Sequence, residues 1–220
     1  MQVKSVLFDI DGTLVDSNEQ HVTAWAFAFN VEGQPQELED IRKQIGKGGD
    51  LLVPALLPDA SEKMIERLGK RHGAYFKDMY LDHVRPFPGA TELVAKVHAS
   101  GRTIALASSA KREELEHYVE LLGIGDYLTA STSSDDVAAS KPEPDIFAAA
   151  LERLGAEPED AVVVGDTPYD VIAALRAGIV TIGLTSGPFD RTELKEAGAI
   201  AVFADVGELL AQFDRSPLAQ

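Results

Sequence analysis

The chain has 220 residues, 45% of them hydrophobic and 25% charged, enough for one good core or for one core with a small accessory domain. Acidic residues outnumber basic ones 36 to 20, a formal charge of −16 that argues against nucleic acid as a partner, and the absence of cysteine excludes disulfides, thiolate catalysis and cysteine metal sites. No stretch approaches the roughly 18 apolar residues of a membrane span, and the opening MQVKSVLFDI carries no basic region followed by a signal-type apolar run, so a cytoplasmic protein with no membrane partner is expected.

Residues 3–8 form an apolar run that reads as a buried strand ending at Asp9. A helix follows at once. Ser17 with Gln20 three residues on has the capping-box pattern, and Val22, Trp25, Ala26 and Phe29 recur on one face until Gly33 and Pro35 stop it. Leu38, Ile41 and Ile45 mark a second helix, and Met64, Ile65, Leu68, Tyr75, Phe76 and Met79 a long one, opened by Ser61 and ending near Asp82. From Pro86-Phe87-Pro88-Gly89 onward, amphipathic helices alternate with short apolar strands. The strands are expected at 103–107, 127–130, 161–165, 180–183 and 200–203, and the helices at 92–99, 113–122, 145–154, 171–177 and 191–197. The pattern predicts an α/β fold: a doubly wound, Rossmann-like parallel-sheet core from residues 1–15 and 86–220, and a small all-helical cap domain, residues 16–85, inserted after the first strand. A loose tail is expected from about Ser216.

Ligands of an open parallel sheet sit beyond the carboxyl ends of its strands, so the residues there carry the chemistry. They are Asp9-Ile10-Asp11-Gly12-Thr13 after the first strand, Ser108-Ser109 after the second, Lys141-Pro142 before a helix, and Gly165-Asp166 with Asp170 after the fourth. Each alone has a plain structural reading. Asp11-Gly12 is turn chemistry, Ser108 and Asp166 are helix caps, and Lys141 is a solvated charge. Together they fit phosphoryl transfer. Asp9 can attack a phosphoryl group to form an acyl phosphate that water then opens. A hard divalent cation, Mg2+, would bridge nucleophile and dianion on oxygens from Asp9 and Asp166. Asp11 would protonate the leaving alcohol and then deprotonate the incoming water, helped by neighbouring like charges that should raise its pKa. Lys141 would screen the nucleophile, and the Ser108 hydroxyl with nearby backbone amides would hold phosphoryl oxygens. A phospho-receiver signalling module uses a similar set, but gives Asp11 no function and has no counterpart to the helical insertion.

The same residues resemble the four motifs of the haloacid dehalogenase superfamily, over residues 3–205: Asp9-x-Asp11-Gly12-Thr13-Leu14, then Ser108, then Lys141, then Gly165-Asp166 with Asp170. That resemblance implies a Mg2+-dependent phosphatase acting through an aspartyl phosphate. Its metal ligands would be the Asp9 carboxylate, the Asp11 main-chain carbonyl and Asp166, with Asp170, Gly165 and Thr13 in support and Gly12 and Ser109 at the substrate. The insertion resembles the cap of the branch containing phosphoglycolate phosphatases, β-phosphoglucomutases and sugar-phosphate phosphatases, which implies a small phosphorylated metabolite as partner and a monomer or homodimer. The mutase is the alternative. Ala107-Ser108, Ser140-Lys141-Pro142, Asp145-Ile146-Phe147 and the run from Asp16 through His21 to Trp25 are similar to it. Against it, the mutase-like arginine after Gly-x-Ser is missing from Gly46-Lys47-Gly48-Gly49-Asp50, and one acid, not two, follows Gly165. Lys47 is either a contact to the substrate's distal group or a solvated loop lysine, and His21 either a packing residue or a proton carrier.

Overall fold

A computed structural model describes residues 3–219. Strand β1 (Ser5–Phe8) is buried along its whole length because it lies at the centre of a six-stranded parallel sheet, covered on both faces. Its side chains alternate: Val6 and Phe8 join one apolar cluster, Leu7 the other. After β1 the chain makes the short strand β2 (Val15–Asp16) and four helices, α1 (Asn18–Val31), α2 (Leu38–Arg42), α3 (Gly49–Leu56) and α4 (Glu62–Met79). These enclose an apolar cluster of their own, with Trp25, Phe29, Ile41, Leu52 and Leu68 inside. The chain returns through β3 (Arg85–Pro86), which pairs antiparallel with β2, so both crossings between helical segment and sheet lie side by side.

The remainder alternates as α5 (Ala90–Ala99), β4 (Thr103–Ala107), α6 (Arg112–Leu122), β5 (Ala130–Thr132), α7 (Asp145–Leu154), β6 (Ala161–Gly165), α8 (Pro168–Arg176), β7 (Val180–Leu184), α9 (Arg191–Ala197), β8 (Ala201–Phe203) and α10 (Val206–Ala211). The sheet order is β5-β4-β1-β6-β7-β8, so the winding reverses on either side of β1. That reversal opens a crevice at the carboxyl end of β1, where Asp9 sits. Phe8 is level with Leu106 of β4 and Val164 of β6. Asp9, Ser108 and Asp166 therefore leave the same sheet edge.

Several expectations are corrected. The strand expected at 127–130 is Ala130–Thr132, because Gly123 ends α6 in the left-handed region and a tight turn over Gly125–Tyr127 precedes the strand. The Gly-rich loop runs straight into α3, with Gly48 in the N-cap position. Ser17 makes no capping bond to α1; its hydroxyl donates instead to Asp11 Oδ1 at 2.6 Å, a charged acceptor stronger than a backbone interaction. Residues 216–219 are ordered: Leu218 is buried in the main core, and the Ser216 hydroxyl donates to the Phe213 carbonyl at 2.8 Å. Among the described residues no helix is long and apolar enough to cross a membrane.

Candidate active site

The backbone after β1 folds into a compact turn in which the amides of Thr13, Leu14 and Val15 all point at the Ile10 carbonyl, at 3.0, 2.8 and 3.1 Å. Gly12 makes this turn with φ +76°, and a Cβ there would lie 2.1 Å from Asp166 Oδ2. Only glycine allows both the conformation and the approach. The Thr13 hydroxyl donates to Asp166 Oδ1 at 3.0 Å and lies 3.3 Å from Asp9 Oδ2. Asp166 takes its other bond from Asn18 Nδ2 at 2.9 Å, the first residue of α1. Lys141 is 1% exposed, its ammonium bonded to Asp9 Oδ1 and 2.7 Å from Asp170 Oδ1. Asp170 also accepts from the Thr167 amide and hydroxyl at 3.0 and 2.6 Å, which caps α8 and fixes the carboxylate against Lys141. Gly165 leaves room for it, since a Cβ there would stand 2.7 Å from Asp170 Cγ.

Carboxylate oxygens of Asp9, Asp166 and Asp170 lie within 4.8 Å of one another. One lysine cannot neutralise three buried acids. Burial, opposed by Lys141 and reinforced by Asp170 and Asp11, pushes Asp9 up to about 7. Asp166 is raised well above the carboxylate range by burial and by the charges of Asp9 and Asp170. Lys141 is desolvated too, but the two carboxylates outweigh this and hold it charged, above the usual lysine range. Asp166, whose hydrogen-bond partners are the neutral Asn18 and Thr13, is the chemistry of a hard-cation ligand.

Asp11 has a different environment. Its Oδ1 accepts from Ser17 and lies 3.2 Å from His21 Nε2, while His21 Nδ1 is 3.1 Å from His72 Nε2 of α4. Burial would raise Asp11, but the charge and hydrogen bond of His21, with the Ser17 hydroxyl, prevail and lower it. The expected rise from like charges is thus corrected, because the side chain turns away from the acid triad toward His21. Conversely His21, despite burial, is raised by Asp11 and then Glu114, while burial and His21 hold His72 well below the imidazole range. A protonated His21 donating from both ring nitrogens, to Asp11 and to a neutral His72, satisfies these shifts together. Glu114 Oε1 stands 3.6 Å from His21, and burial pushes this carboxyl up to about 7.

Ser108 is fully buried, its oxygen accepting from the Ala110 amide at 3.0 Å, and Ser109 donates to the Gly46 carbonyl at 3.3 Å. The loop before α3 rests on the sheet edge: the Gly48 amide donates to Ser140 Oγ at 3.0 Å, and the Ser140 amide to Asp50 Oδ2 at 3.1 Å. Lys47 is turned aside, its ammonium 2.6 Å from Gln44 Oε1 and 4.6 Å above the Tyr169 ring. Between α4 and the sheet edge lies a cavity of about 610 Å3, lined at its base by Asp9, Asp11 and Ser108. Asn18, His72, Glu114, Asp50 and Ser140 are site residues not singled out from sequence; Ser140 and Asp50 stood only within the quoted runs around Lys141 and Lys47, and the signal for Asn18 was its place at the start of the helix directly after the Asp9 loop.

A family model described as haloacid dehalogenase-like hydrolase matches residues 6–184, and the chain belongs to that family. Within it the chain is a phosphatase. It is similar to a protein named probable phosphatase IndB from Dickeya dadantii (strain 3937), 32% identical over 200 residues that cover 87% of this chain and 85% of the relative. It is 28% identical to a phosphoglycolate phosphatase of Rhodospirillum rubrum, over 94% of this chain and 89% of that one. The crystal structure of a hydrolase from Pseudomonas syringae superposes with a TM-score of 0.91 at 32% identity, over 98% of this chain and 99% of the other.

Proposed function

We propose that this chain is a Mg2+-dependent phosphatase that cleaves a small phosphomonoester, of the phosphoglycolate or sugar-phosphate type, through an aspartyl phosphate on Asp9. The observation that carries the reading is a buried Asp9 held by Lys141 beside an Asp166 paired only with neutral donors, at the base of a cavity large enough for a metabolite. The Asp9 carboxylate, the Asp11 main-chain carbonyl and Asp166 would hold Mg2+, which supplies charge to neutralise the phosphoryl oxygens and bring the anionic nucleophile to them.

The protein's own groups supply the rest. A carboxylate oxygen of Asp9 bonds to phosphorus as the ester P–O bond breaks, and the leaving oxygen takes the proton held between Asp11 Oδ1 and His21 Nε2. Water then attacks the acyl phosphate, returns its proton to Asp11, and frees phosphate and the Asp9 carboxylate. Lys141 offsets charge on Asp9 throughout, and the Ser108 hydroxyl remains free to donate to a phosphoryl oxygen. Residues 16–85 act as a cap over the core formed by 1–15 and 86–220, excluding bulk water during the first step.

The test is release of inorganic phosphate from a panel of phosphorylated metabolites, with and without Mg2+. Turnover is expected only with the metal, and a folded Asp9→Asn variant is expected to lose it entirely. A folded Asp9→Asn protein with normal activity refutes the nucleophile. β-Glucose 1-phosphate with a bisphosphate primer distinguishes the mutase, which would form glucose 6-phosphate without releasing phosphate.

A further inference from the structure

The segment 185–189 follows strand β7 at the same sheet edge as Asp9 and Asp166, and no catalytic group lies on it. It nevertheless presses on Asp166. A Cβ built on Gly187 would lie 2.0 Å from Asp166 Oδ2, 2.8 Å from its Cγ and 3.0 Å from its Cβ. Gly187 has no positive φ, so its backbone suits any residue, and the close approach alone demands glycine. Gly12 crowds the same oxygen, with its own Cβ placed at 2.1 Å. Two glycines from distant parts of the chain thus confine one carboxylate.

The segment is fastened at both ends. The Thr185 amide donates to the Phe203 carbonyl at 3.0 Å and its hydroxyl to the Ala204 carbonyl at 3.3 Å, while Phe189 is buried edge-on against Tyr169. Between them the Ser186 hydroxyl donates to the Gly12 carbonyl at 2.7 Å, tying the segment to the turn that carries Asp9 and Asp11. Asp166 is itself fixed by Thr13 and Asn18, at 3.0 and 2.9 Å. A buried carboxylate with only neutral donors is costly to hold in one orientation unless a cation is to meet it there. Asn18 gives a second sign of that cation. It is 7% exposed and lines the cavity, and its Oδ1 is buried with no hydrogen-bond partner, an acceptor that the waters of a hydrated Mg2+ can satisfy.

Resting on the Mg2+ reading, we propose that Ser186 and Gly187 are positioning residues for the divalent cation, holding the Asp166 carboxylate in its ligating orientation before the cation arrives. The experiment measures the Mg2+ dissociation constant of the whole chain by calorimetry without substrate, and separately the Mg2+ dependence of phosphate release from acetyl phosphate. With the segment fastened, an alanine at 187 must displace the carboxylate. Gly187→Ala is expected to raise the dissociation constant at least about tenfold and the half-saturating Mg2+ in step, with kcat at saturating Mg2+ within about threefold of the unaltered protein. Ser186→Ala removes one neutral hydrogen bond and is expected to raise the dissociation constant about two- to tenfold. Gly125→Ala, in the turn after α6, where a Cβ would stand 3.6 Å from Val119 Cγ1, is expected to leave it unchanged. Should Gly187→Ala not fold, Ser186→Ala decides alone. Folded variants with unaltered Mg2+ affinity, whether or not kcat falls, overturn the proposal. An unaltered protein that binds no Mg2+ refutes the metal reading itself, and the proposal with it.

Discussion

Lys141 sits where two carboxylates meet, bonded to Asp9 and 2.7 Å from Asp170, and it is almost wholly buried. Truncating one partner of a buried ion pair leaves the other charge desolvated and unpaired, which costs about 3–5 kcal/mol. Lys141→Met is therefore expected to destabilise the metal-free protein by about that amount in urea unfolding. Adding Asp170→Asn removes one of the stranded charges, so the double variant should be more stable than Lys141→Met alone. A double variant destabilised by the full sum of its parts would mean that the two groups do not interact. At this scale the sequence was informative where a side chain follows an apolar strand, as Asp9, Ser108 and Asp166 do. It was uninformative for His72 and Glu114, which reach the site from helices whose placement only tertiary packing decides. Ser17 misled for a related reason: its spacing to Gln20 suits a cap, but the carboxylate of Asp11 is a nearer and charged acceptor.

Among the elements, those with a clean apolar period stand where the sequence placed them: β1, β4, β6 and β7 within the sheet, α4 opened by Ser61, whose hydroxyl accepts from the Met64 amide. Helices α3 and α10 were not legible. The first starts on glycine and holds Pro54, and the second spans only Val206–Ala211. The connection from β5 to α7 carries little apolar signal as well, yet it is firmly tied. Asp136 accepts from Arg112 of α6 at 2.5 Å, Arg153 of α7 at 2.7 Å, and the Ser133 amide and hydroxyl at 2.8 and 2.9 Å. Burial works against its ionisation, but Arg153 and Ser133 prevail and hold the carboxyl well below its usual range. A depressed folded pKa gives stability that is complete above the unfolded value of about 3.9 and disappears as pH falls through the folded one. Hydrogen bonds to charged groups contribute about 1.5–3 kcal/mol. Asp136→Asn should accordingly cost about 2 kcal/mol at pH 7, with the gap to the unaltered protein narrowing below about pH 4. A gap independent of pH would assign the loss to shape and not to charge.

Over the whole molecule, the helical segment has an apolar cluster of its own but also shares the main core through Ala24 of α1 and Phe76 of α4, and at the loop before α3 it meets the sheet edge through polar contacts. These are Gly48 to Ser140 at 3.0 Å, Ser140 to Asp50 at 3.1 Å, Ser109 to Gly46 at 3.3 Å, and the Tyr169 hydroxyl to the Lys43 carbonyl at 2.5 Å. Each such bond is worth about 0.5–1.5 kcal/mol net, so seating the loop is a matter of a few kcal/mol, small enough for substrate and product to shift the balance. Both chain crossings run side by side through the paired β2 and β3. Gly48 gives the means to test this. Its backbone, φ −73° and ψ 166°, suits any residue, but a Cβ would stand 2.7 Å from that of Ser140 and 2.6 Å from Asp50 Oδ1. Gly48→Ala should therefore leave both cores folded, with a melting temperature close to that of the unaltered protein, yet hold the loop off the sheet edge. If closure assembles the site, kcat/KM falls at least tenfold, and the loss is smaller for acetyl phosphate, which needs less of the cavity. Equal losses for large and small substrates would place the effect on Lys141, next in sequence to Ser140, and count against closure as the step that the loop controls.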